Sequence, residues 1–115
     1  MRANALRAFC LSLPGAAETF PFGEATSVFK VGGKMFALSQ LGAELPLRVS
    51  LKCEPALAED LRRSYDAVIP GYHLNKRHWN TVILDGSLPA KMVKDMIEDS
   101  YDLVAPHRKP EAETR

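Results

Sequence analysis

A chain of 115 residues is one domain's worth of protein, long enough for a single hydrophobic core. Its 46% hydrophobic and 25% charged residues are ordinary for a globular protein and exclude a fibrous or low-complexity chain. The formal net charge of +1 means that any affinity for nucleic acid must come from local clustering of cations and not from overall charge.

Leu6, Phe9, Cys10 and Leu13 recur at i, i+3, i+4 and i+7, which predicts a helix over residues 2–13 that Pro14 and Gly15 stop. Arg7 interrupts the apolar stretch, so it reads as an amphipathic helix and not as a signal peptide. No run approaches the roughly 18 apolar residues that a membrane span needs. A cytoplasmic protein without membrane contact is the expectation.

Glu18 to Phe22 forms a short edge segment, where Pro21 is tolerable. Ser27 to Val31 and Lys34 to Leu41 are β-prone runs joined by Gly32-Gly33, a hairpin signal because glycine supplies the positive φ of tight turns. Leu47, Val49 and Leu51 then alternate with Arg48, Ser50 and Lys52, the pattern of a strand with one buried and one wet face. Glu54-Pro55 opens a second helix, with Pro55 in the first turn and Leu57, Leu61 and Tyr65 as its inner face. Trp79 to Leu84 reads as a strand that Asp85-Gly86 ends. Ser87 or Pro89 starts a last helix, whose inner face is Val93, Met96, Ile97, Tyr101 and Val104.

The order is helix, three or four strands, helix, strand, helix. Hairpin-linked strands make this an α+β fold: an antiparallel sheet of four to five strands with helices packed on one face. One domain over residues 1–105 follows. The tail 106–115 carries no apolar residue beyond Ala112 and is expected to be disordered.

Three segments carry a resemblance. They are LPGAAETFPFGE (Leu13 to Glu24) followed by VFKVGGKMFAL (Val28 to Leu38), then PGYHLNKRHWNTV (Pro70 to Val82), then DSYDLV (Asp99 to Val104). Together they run over nearly the whole ordered chain, and they resemble the MmcQ/YjbR family of small bacterial proteins. The resemblance implies a compact α+β architecture that has been compared with double-wing DNA-binding motifs. Members are often described as DNA-binding proteins.

The second segment concentrates the polar and aromatic chemistry. From Ala67 to Leu84 there is no acidic residue, while Lys76, Arg77, His73 and His78 all occur. Such a segment meets phosphates without internal repulsion, and Arg77 can do so bidentately. Tyr72 and Trp79 can stack on bases if exposed, and Asn75 and Asn80 carry the donor–acceptor pair that reads an adenine edge. A structural reading stands beside this one: Trp79 as a core anchor, and the asparagines as ties for the turn's backbone. Lys30, Arg48 and Lys52 lie on strand faces away from the core, with Lys34 beside the hairpin turn. The candidate nucleic-acid contacts are therefore Lys76, Arg77, His73, Asn75, His78, Tyr72, Lys34 and Lys30.

An enzyme is the weaker reading. Cys53 is the only reactive nucleophile, and nothing in the sequence sets it beside a histidine. No phosphate loop, paired-carboxylate motif or hydrolase elbow occurs. Neither Cys10 nor Cys53 has zinc-ligand neighbours, so both read as reduced thiols, and no metal or cofactor is expected. The expected partner is DNA, bound without catalysis by a monomer or weak homodimer. The alternative is a protein-interaction module that uses the open face of the sheet. An outward Val28 clustered with the Trp79 strand would favour that alternative.

Overall fold

The computed structural model describes residues 1–71 and 74–106. Its elements run α1 (Ala3–Ser12), β1 (Ala17–Thr19), β2 (Ser27–Val31), β3 (Lys34–Ser39), β4 (Leu47–Lys52), α2 (Pro55–Ser64), β5 (Val68–Pro70), β6 (Trp79–Leu84) and α3 (Ala90–Val104). The six strands form one antiparallel sheet in the order β1-β2-β3-β4-β6-β5. The expected fold class holds, with one strand more than the four to five read from the pattern. The extra strand is β5, three residues long, which is too short to show a period. The proposed tail falls on residues 107–115, outside the described residues apart from Pro106.

Local chemistry explains the turns. Gly32 and Gly33 close the β2–β3 hairpin at φ of 59° and 78°, where a side chain would be strained. Gly71 answers a different need, because its backbone N–H bonds the carbonyl of Trp79 and a Cβ there would lie 2.8 Å from the Trp79 Cβ.

The register assigns the two faces. Val49 pairs with Val82, and Leu51 with Ala37 and Asn80, so these share the side that the helices cover. The core joins Leu6 and Cys10 of α1, Phe29, Phe36, Val49 and Val82 of the sheet, and Ile97 and Tyr101 of α3. A register shift between Phe29 and Lys30 puts both Phe36 and Ala37 in this core, which strict alternation would forbid. Burial, with a smaller contribution from Glu18, pushes the Cys10 thiol up to about 12.

Side-chain bonds tie α3 down. Ser100, completely buried, donates from Oγ to the Phe36 carbonyl at 2.5 Å and accepts from the Lys52 N–H at 2.8 Å. Tyr101 donates its hydroxyl to the Pro14 carbonyl beyond the end of α1. The expected inner face of α3 is observed, with Met96 half-buried at its margin. That of α2 is not: Leu57 and Tyr65 are exposed, and Ala58 is the buried residue. A small side chain there lets the helix approach until the Ala58 carbonyl accepts a bond from Asn80.

Candidate nucleic-acid interface and the outer face of the sheet

Residues 75–78 form a turn leading into β6. The Asn75 Oδ1 accepts from the Arg77 N–H at 2.9 Å, and the Asn75 carbonyl accepts from the His78 N–H at 3.2 Å. Asn75 therefore ties its own turn, as its structural reading anticipates. Two further bonds anchor the loop from outside: the Cys53 N–H donates to the His78 carbonyl at 2.7 Å, and Arg62 of α2 donates to the Lys76 carbonyl at 3.1 Å. Lys76, Arg77 and His78 are left exposed on a braced backbone. Tyr72 and His73 lie outside the described residues.

Antiparallel pairing brings the other cations to the same end of the sheet. Lys52 pairs with Trp79, one residue beyond the turn. Lys30 pairs with Met35 on the same outer face, two strands from β4, or about 10 Å away. Lys34 reaches this end too, but it pairs with Val31, whose side chain belongs to the core, and so sits on the helix side of the sheet. Lys52 thus stands beside the turn of Lys76 and Arg77, while Lys30 shares this end of the sheet from β2, three strands from β6, with Lys34 on the helix side.

Asn80 and Trp79 need correction as base contacts. Asn80 is buried, accepting from Arg62 at 2.7 Å and donating to the Ala58 carbonyl at 3.3 Å, so its amide is used within the fold. Trp79 is buried at 9% exposure, which leaves no stacking platform. It is not an anchor of the main core either, because alternation from Asn80 puts it on the outer face. Thr81 is likewise an outer-face residue, whereas Val82 does join the core. Val28, also on the outer face, is fully buried and lies three strands from β6, so the proposed Val28–Trp79 cluster does not form.

Outer-face strand positions carry Lys30, Arg48 and Lys52 and, among the described residues, no carboxylate. In the middle of this face the loops around Phe22 and Glu44 enclose a groove of about 660 Å³. Its floor is Leu38, Ser50 and Thr81, with Arg48 to one side. The Ser50 and Thr81 hydroxyls sit 2.8 Å apart and buried.

A family model described as YjbR matches residues 11–103. The chain belongs to the YjbR family. It is 39% identical over 101 residues to the YjbR protein of Escherichia coli K12, covering 88% of this chain and 85% of that one. It is 37% identical over 94 residues to YbdF of Escherichia coli O157:H7, covering 82% and 76% respectively. Among solved structures, a Deinococcus radiodurans protein with a DUF419 domain superposes with a TM-score of 0.85 at 43% identity, covering 97% of this chain and 83% of that one. A Pseudomonas syringae protein superposes at 0.76 and 28% identity, covering 90% and 98%.

Within this YjbR fold the helix side carries charges of both signs, with Arg62 and Arg63 on α2 and Lys91 and Lys94 beside the acids of α3. Asp95, Asp99 and Asp102 line α3; burial, then Asp102 and Asp95, raise the Asp99 carboxyl. Cys53 faces the same acids: burial first, then Asp99 and Glu54, push its thiol up, which disfavours the nucleophilic thiolate. Its backbone lies against His78, an adjacency the sequence does not reveal. No group of three metal-ligating side chains stands together among the described residues, and none of their helices is long and apolar enough to cross a membrane.

Sequence reasoning missed Arg62 as the brace of the basic turn. It also missed the hydroxyl pair and the groove around it. Alternation marks Arg48 as outward, but the loops that wall the groove come from distant segments and leave no local signal.

Proposed function

We propose that this YjbR-family chain binds DNA without catalysis, through backbone phosphates, at the basic end of its sheet. The observation that carries this reading is the register, which sets Lys52 beside the turn of the exposed Lys76 and Arg77, with Lys30 farther along the same end of the sheet, although the net charge is only +1. The outer-face strand positions carry no carboxylate among the described residues, so a polyanion meets no repelling strand residue there. The bracing bonds support it as well, since a pre-set turn loses less freedom on binding than a floppy one. Phosphate contacts position a duplex or a single strand but specify little, so sequence preference would be modest.

Replacing Lys76 and Arg77 together by alanine is expected to weaken DNA binding and to flatten the dependence of log K on log salt by about two units on a duplex. Both side chains are exposed, so the thermal midpoint should stay near that of the parent. Fluorescence anisotropy with labelled DNA reads the first effect. Unchanged affinity and slope in a folded double variant would remove the turn from the interface.

A further inference from the structure

The groove on the outer face contributes nothing to the basic end. Arg48 stands four residues before Lys52 on β4, about 13 Å along the strand, and neither Lys76 nor Arg77 lines the groove. Its size falls in the range of pockets that enclose small ligands. Leu38, Phe22 and Leu74 give it apolar walls, and Phe22 is held 66% exposed there. Arg48 is exposed, and its guanidinium forms no ion pair among the described residues. A cation thus borders an apolar chamber whose floor bears two hydroxyls.

We propose that this groove binds a small organic monocarboxylate with an apolar body. The carboxylate meets the guanidinium of Arg48, whose planar fork matches its two oxygens. The body lies on Leu38 and Phe22, and the Ser50–Thr81 pair meets its polar edge. A monoanion fits better than a phosphate dianion, because among the described residues Arg48 is the only cation lining the groove, and Glu44 lines it too. A second negative charge would be repelled and left unpaired.

The full chain is titrated with para-fluorobenzoate, para-fluorobenzamide and para-fluorophenyl phosphate by fluorine NMR. The expected dissociation constant for the benzoate is below about 1 mM, the weak range of a single small ligand. Arg48→Gln is expected to weaken it about tenfold, Arg48→Lys less, and the neutral amide should bind as poorly to the parent as the benzoate does to Arg48→Gln. The Lys76 and Arg77 double variant should bind the benzoate like the parent, which separates this site from the nucleic-acid reading. Absence of binding at millimolar benzoate overturns the proposal. So does binding indifferent to Arg48→Gln or to loss of the carboxylate, or tighter binding of the phosphate.

Discussion

Phe36→Ala is expected to destabilise the protein by about 3–5 kcal/mol, the range for an aromatic truncated in a packed core. Phe36 is completely buried at the meeting of β3 and α3. Its ring meets that of Tyr101 edge-on, with centroids 5.4 Å apart and planes at 85°. Its carbonyl accepts the Ser100 hydroxyl at 2.5 Å, so backbone and side chain both fasten α3 to the sheet. The lost ring would leave a cavity bounded by elements that the Ser100 and Tyr101 bonds hold in place, which limits collapse. Against the 5–15 kcal/mol total of a typical domain, that is about a fifth or more of the stability. Urea unfolding followed by circular dichroism measures it. A loss below about 1 kcal/mol would contradict the packing described.

Arg62→Met is expected to cost about 1–3 kcal/mol, although Arg62 is half-exposed. The cost arises at its partner: Asn80 is only 3% exposed, and its Oδ1 would lose the 2.7 Å bond from Arg62. A buried acceptor left without a donor forfeits its hydration with nothing in return. Adding Asn80→Leu to Arg62→Met should recover part of the loss, because the orphaned Oδ1 is then gone, while loss of the Asn80 bond to the Ala58 carbonyl limits the recovery. The double-mutant cycle measures that coupling. Arg62 also holds the Lys76 carbonyl, so the single variant should weaken DNA binding, though less than loss of Lys76 and Arg77. Full stability in Arg62→Met would mean that Asn80 finds its bonds elsewhere.

Some elements were legible because their physics is local. The Gly32-Gly33 hairpin needs positive φ at both positions, which glycine announces. β4 was read to its boundaries because Leu47, Val49 and Leu51 alternate with polar residues, but its expected wet face holds only in part, since the loops over the groove bury Ser50. The α3 stripe was equally plain, since its inner residues recur at helical spacing. The misses have long-range causes. The α2 face was assigned to Leu57, Leu61 and Tyr65 from periodicity, but its depth is set by Asn80, 22 positions from Ala58. The bulge that sends Phe36 and Ala37 to one side depends on the β2 register.

The candidate site divides along the same line. Lys76 and Arg77 were visible as a basic pair on an acid-free turn, and the structure leaves both exposed. That they share one end of the sheet with Lys30 and Lys52 depends on strand order, which one sequence does not display. Asn80 and Trp79 show how the same residue types serve a fold: one amide satisfies a helix, and the backbone and Cβ of Trp79 lie against Gly71.

If the basic end of the sheet holds a phosphate backbone, salt must govern the affinity. The most direct test is the anisotropy of labelled single- and double-stranded DNA with the unmodified chain, from low to near-physiological salt. The account predicts micromolar or tighter binding at low salt, falling along a straight log–log line whose slope corresponds to about three to four phosphate contacts. No binding at low salt, or binding that salt does not weaken, would contradict it.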